Sequence, residues 1–194
     1  RGVLQRLQRH DDDLVAAAKA AGQEALAITD NGNLYGAIEF YKEAKKQGIK
    51  PIIGVDFFVA PRTRFDKEHR VDDRAARLIL LAKDIAGYKN LIQLVSKSHL
   101  EGFYYRPRLD RELIAQYKDG IIAILPSFGG EHARALKEEQ SEKARESMDW
   151  YLKTFGENLY AEITHHPEIE GHEALQKKII ALAHEKGVPL VAAH

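Results

Sequence analysis

Ala25-Leu-Ala-Ile-Thr-Asp-Asn-Gly-Asn-Leu-Tyr-Gly36, continued by Ile49-Lys-Pro-Ile-Ile-Gly-Val-Asp56, is the stretch on which the reading of the fold turns. The apolar run Ala25 to Ile28 breaks off into the polar turn Thr29 to Asn33, and a helical pattern starts at Leu34. A short apolar run, a polar turn and a helix form the signature of a strand in a parallel sheet. Such sheets bind ligands at the carboxyl ends of their strands. Thr29 to Asn33, and Asp56 at the next strand, are therefore where chemistry is sought.

The same alternation extends in both directions. Upstream, Asp11 to Ala21 reads as a helix, with three aspartates at its start and Leu14, Ala17, Ala18 and Ala21 on one face. Downstream, strands are expected at 50–59, 77–82, 120–125, 159–163 and 188–192. Helices are expected at 34–47, 87–98, 110–117, 131–137, 141–155 and 172–186, with Asp110 and Ser141 as N-caps. With strand 24–28 this makes six strands, and glycines at 22, 48, 120, 156 and 187 punctuate the runs. Strands alternating with helices predict an α/β fold, either a βα barrel or a doubly wound sheet. Pro61 to Asp73 interrupts the pattern. It is charged and nearly without apolar anchors, so it reads as an exposed polar excursion and the least ordered internal segment.

Composition narrows the function classes. The 194 residues suggest one domain, with 44% hydrophobic and 30% charged residues, enough for a packed core. Lysine plus arginine equals aspartate plus glutamate at 29 each, so the chain as a whole has no basic nucleic-acid footprint. Cysteine is absent, which excludes disulfides and thiolate metal sites. There is no apolar run of membrane-spanning length and no secretory signature at Arg1-Gly-Val-Leu, so a cytoplasmic piece of a longer chain is expected.

The opening stretch also resembles the polymerase-and-histidinol-phosphatase (PHP) family, in the version carried at the N-terminus of bacterial replicative DNA polymerase III alpha subunits. The resemblance continues through Leu80 to Leu91, Leu100-Glu-Gly-Phe-Tyr-Tyr-Arg-Pro-Arg108, Phe128-Gly-Gly-Glu131 and Val188 to Ala192. It implies a distorted (βα) barrel of parallel strands with outer helices, here lacking the first strand. It also implies, for catalytic members, a cluster of divalent ions (zinc, manganese or magnesium) that activates water against phosphate esters. Position by position, the family's ligands fall on other residue types. The acidic residue near the start falls at Gln5, and the histidine of the Thr-Asp-His triplet is Asn31. The glutamate after the second strand is Asp56, the histidine opening the next strand is Arg77, and the cysteine before the glycine turn is Ser127. The first His-x-His and last Asp-x-His motifs have no counterpart in these residues. Only Asp56 keeps metal-binding character, since Asn31 and Ser127 are weak neutral ligands and Arg77 is a permanent cation.

The resemblance thus implies a vestigial cleft of Asn31, Asp56, Arg77 and Ser127, with no catalytic residue and no metal or other cofactor in this chain. The implied role is a scaffold and docking surface for other replicase subunits, a proofreading exonuclease among them, with DNA engaged through the parent chain. The alternative is a metal-dependent phosphoesterase or 3′–5′ exonuclease. His165-His166 occupy adjacent positions and point to opposite faces of a strand, which disfavours a shared ion. His10, His69, His99, His132, His172 and His184 read as surface residues, while His194 reaches a strand end facing the cleft. Phe103-Tyr-Tyr-Arg-Pro-Arg108 mixes aromatics with cations, a pattern that can stack single-stranded nucleic acid, but it reads first as a loop packed on the barrel. Gly129-Gly130-Glu131 opens a helix without a phosphate-loop lysine.

Overall fold

The computed structural model describes residues 13–192. Residues 13–20 are helical (α1), followed by β1 (Ala25–Asn31), α2 (Ala37–Gln47), β2 (Lys50–Val59), β3 (Ala76–Ala82) and α3 (Ile85–Leu100). Next come β4 (Arg108–Leu109), α4 (Arg111–Gln116), β5 (Ile121–Leu125), α5 (Glu131–Lys137), α6 (Ser141–Phe155), β6 (Leu159–Ile163), α7 (His172–Lys186) and β7 (Leu190–Ala192). The strands form one seven-stranded sheet in the order β1-β2-β3-β5-β6-β7, with the two-residue β4 beside β2. The sheet curls into a half-barrel flanked by helices.

Alternation along each strand explains the layering. Val55, Phe57, Leu78, Leu80, Ala123, Leu125, Leu159 and Ala161 are buried and pack with helix residues such as Leu91, Leu94, Leu113, Met148 and Ile179. A smaller core at the β1 edge joins Val15, Phe40, Ala44 and Ile49 with Leu26, Ile28 and Ile53. The residues between them in sequence face the other side of the sheet. There Ile52, Ile79, Leu81, Ile122 and Ile124 are only half-buried. The helix ends follow capping chemistry. The side chains of Asp84 and Asp110 accept from the backbone N–H of Gly87 and Leu113, and Gly48 and Gly187 close α2 and α7 in the left-handed conformation. The helix expected from Gly87 thus begins at Ile85, behind its Asp84 cap, and α6 begins at Ser141 itself, with Gln140 at the N-cap position and no side-chain capping bond.

One expectation is corrected. The sheet is mixed, not parallel throughout: β3 runs antiparallel to both β2 and β5, while the β1–β2, β5–β6 and β6–β7 pairs are parallel. The cause is the connection. A parallel neighbour requires a crossover, usually helical, whereas residues 60–75 contain no helix and return the chain directly beside β2.

That excursion carries more anchors than its composition suggests. Arg108, fully buried on β4, donates to the carbonyls of Gly102 (3.0 Å), Asp72 (2.8 Å), Asp66 (2.8 Å) and Arg64 (3.2 Å). Arg64 in turn binds both carboxylate oxygens of Asp110, and Arg62 binds Asp72 and Glu68. The segment expected to be least ordered is therefore wrapped around a buried guanidinium that satisfies its backbone.

Candidate functional site: an ion-paired cleft at one rim of the sheet

Asn31 ends β1 and stands opposite Asp56 in the β1–β2 register. Asp56 lies within β2, not after it, on the face opposite the helix-packed core, and is 4% exposed. Arg77 opens β3. Because β3 is reversed, its first residues lie at the edge where β1 and β5 end. Reversal therefore brings Arg77, near the start of its strand, beside Asp56 at this rim.

The guanidinium Nε of Arg77 donates to both oxygens of Asp56 (3.2 and 3.0 Å) and Nη2 donates again to Oδ2. Nη1 donates to the Phe128 carbonyl (3.3 Å), and the Arg77 backbone N–H donates to the Gly129 carbonyl (2.8 Å). One side chain thus ties β2 and β3 to the turn after β5. Hydrogen bonding to Asp56 holds the Arg77 guanidinium above its ordinary pKa against the opposing effect of burial, with Glu162 adding attraction.

Ser127 is buried on that turn. Its N–H and Oγ both donate to Glu162 Oε2 (2.8 and 3.0 Å), and its Oγ also pairs with Thr164 Oγ1 at 2.9 Å. Thr164 continues the network to Gln176 and to the buried His172, whose ring stacks on Phe128 at 4.9 Å. Asn31, Asp56, Arg77 and Ser127 therefore share one rim, with Asp56 and Arg77 in direct contact and Ser127 bound to a different carboxylate. Sequence reasoning missed Glu162, Thr164, His172 and Gln176. The signal for Glu162 was present: in Leu159-Tyr-Ala-Glu-Ile, the buried Leu159 and Ala161 leave Glu162 on the opposite face, the one that carries Asp56.

Two histidines depart from the surface reading, while His69, His99 and His184 are exposed. His172 is buried, and so is His132, which belongs to the inward set of α5 with Ala133, Ala135 and Leu136. Burial pushes the His132 imidazole down to about 4, and its Nε2 has no hydrogen-bond partner. His165 is exposed, while His166 contacts Glu168, Phe128 and His172. Gln5, His10, the aspartates at 11 and 12, and His194 lie outside the described residues.

A divalent ion needs several anionic or imidazole donors to replace its hydration shell. Among the described residues no three His, Asp or Glu side chains gather into such a set. Both oxygens of Asp56 are engaged by a cation, and one oxygen of Glu162 accepts twice from Ser127. The described donors do not fit a metal centre.

The fold has solved relatives. A protein from Bifidobacterium adolescentis described as a metal-dependent phosphoesterase matches with a TM-score of 0.58 at 11% identity, over 94% of this chain and 80% of its own. An amidohydrolase from Chromobacterium violaceum matches with a TM-score of 0.54 at 12% identity, over 95% of this chain and 81% of its own. At these identities the likeness is one of fold alone. In sequence, the DNA polymerase III subunit alpha of Borreliella burgdorferi is 42% identical over 183 residues, 94% of this chain and 16% of the relative. That of Treponema pallidum is 42% identical over 180 residues, 92% of this chain and 15% of the relative. The chain therefore spans less than one fifth of the length of these curated relatives. The PHP domain model itself aligns with residues 10–166, across the β1–β2 stretch, the ion-paired rim and the Ser127 turn, and the chain belongs to the PHP domain family.

Proposed function

We propose that this chain is the PHP domain of a replicative DNA polymerase III alpha subunit, cytoplasmic and engaged in DNA replication through its parent. In this reading its cleft serves structure rather than catalysis. The observation that carries the proposal is the Arg77 guanidinium bound to both oxygens of Asp56 and to the Phe128 carbonyl. A permanent cation occupies the position where a metal would neutralise that carboxylate, and it joins three parts of the rim. Glu162, held by Ser127, is likewise committed to a hydrogen-bond network. A rim fixed in this way suits one domain, with its polar excursion at 61–73, that acts as a rigid platform for the polymerase and for other replicase subunits, including a proofreading exonuclease. The alternative, a phosphoesterase or 3′–5′ exonuclease, requires Asp56 to exchange Arg77 for a metal.

Elemental analysis, combined with hydrolysis of bis(p-nitrophenyl) phosphate and of a 3′-labelled oligonucleotide in Mn²⁺ and Zn²⁺, tests this reading. The expected result is sub-stoichiometric metal and no hydrolysis above the rate of a heat-denatured control. Stoichiometric metal with activity that Asp56→Asn abolishes would overturn it.

A further inference from the structure

The chain carries no net charge, yet its charges are unevenly placed. Two adjoining recesses, of about 430 and 630 Å³, share Arg74, Arg134 and Glu138 and so form one continuous groove outside the cleft. Seven arginines and lysines line it against three carboxylates. One of those carboxylates, Glu131, is already paired with Arg111 at 2.9 Å. Arg74, Arg106, Lys137 and Lys143 make no ion pair among the described residues.

The groove has built walls. The Arg134 guanidinium donates to the carbonyls of Arg74 (2.7 Å) and Ala75 (3.0 Å), which clamps the end of the excursion onto α5. Arg106 lies 4.7 Å from the centre of the Phe58 ring, and Phe58 is the Cα partner of Arg77 in the β2–β3 register. Tyr105, which precedes Arg106 in the chain, is 69% exposed.

We propose that this groove holds the phosphodiester backbone of single-stranded nucleic acid, with Tyr105 as a stacking platform for a base. A row of unpaired cations along an extended groove matches a phosphodiester chain, and the exposed ring of Tyr105, one residue from Arg106 in the chain, is available to an unstacked base. An acidic peptide would use the cations but leave Tyr105 without a role. The short range of screened charge, about 8–10 Å, makes the local excess count despite the neutral total. This inference goes beyond the scaffold reading and does not depend on the absence of metal.

The test is fluorescence anisotropy of a labelled oligothymidylate of about twelve nucleotides with the 194-residue chain across a salt series. Wild type is compared with Lys137→Glu, Arg106→Glu/Lys137→Glu, Tyr105→Ala and, on a distant helix, Lys89→Glu. Binding should weaken with salt. The double variant should lose at least about tenfold in affinity and show a shallower salt slope, by about 0.7 for each phosphate no longer neutralised. Tyr105→Ala should lose about tenfold and Lys89→Glu nothing. Equal affinity for oligouridylate would support recognition of the backbone shared by RNA and DNA. No binding at low salt, or unchanged affinity in folded Lys137→Glu and the double variant, would overturn the proposal. Displacement by polyglutamate together with indifference to Tyr105→Ala would overturn it in favour of an acidic protein partner. The metal and hydrolysis assays read none of these outcomes, so the two proposals fail separately.

Discussion

Replacing Arg77 with methionine keeps most of the side chain's volume but leaves Asp56 without a counter-charge. Asp56 is 4% exposed and loses three hydrogen bonds from two N–H groups at once, and the Phe128 carbonyl loses its bond from a third. Removing one member of a fully buried pair costs about 3–5 kcal/mol. The Arg77 side chain is 38% exposed, so water screens the pair and can enter after the change. We therefore expect a loss of about 2–3 kcal/mol at neutral pH. Asp56→Asn should cost a similar amount, because it leaves Arg77 uncompensated. The double variant should lose less than the sum, with a coupling of about 1–3 kcal/mol. Urea titrations followed by the fluorescence of Trp150, the only tryptophan, measure all four corners of the cycle. Additivity of the two single changes within about 0.5 kcal/mol would refute the reasoning.

Arg108→Met should cost about 3–5 kcal/mol, because it orphans four buried carbonyls. Hydrogen exchange should then quicken across 61–73 before the rest of the sheet, whereas uniform quickening would mean that Arg108 does not organise the excursion. His132, held down to about 4 by burial, stays neutral when folded but protonates near 6.5 when unfolded. Its contribution is therefore complete above pH 6.5 and is lost as pH falls toward about 4, by up to roughly 3 kcal/mol. His132→Leu should flatten this part of the stability–pH curve in chemical denaturation, and a slope identical to wild type would show that the imidazole is hydrated.

Much of the architecture was legible because alternation and punctuation are local. Leu78 and Leu80 flanking Ile79, or Gly48 after Lys45-Lys46-Gln47, carry their meaning within a few residues. The direction of β3 was not legible in the same way, because it depends on whether residues 60–75 form a crossover, and their polarity reads equally as a surface loop. Arg108 was assigned to an aromatic-basic connector. Nothing local announces that its guanidinium would find four carbonyls from segments up to 44 residues away. At the rim, Asp56 and Arg77 were identified by family position, and their opposite charges anticipated their contact. Ser127 lies on the turn after β5, and its partner Glu162 arrives from a strand 35 residues later, a pairing that only the tertiary register sets.

The reversal of β3 also bears on how the sheet assembles. The β2–β3 ribbon closes over residues 60–75, whereas β5–β6 closes over 126–158 and β3–β5 over 83–120. Loop entropy grows with the logarithm of loop length, so closing the ribbon costs about 0.6–0.8 kcal/mol less than closing either of those pairs. It also needs no prior helix docking. The Asp56–Arg77 bond, spanning 21 residues, lies wholly inside this most local of the long-range pairings. The cleft's central interaction therefore belongs to the part of the sheet with the lowest contact order, and the parallel units on either side add to a ribbon that already contains it.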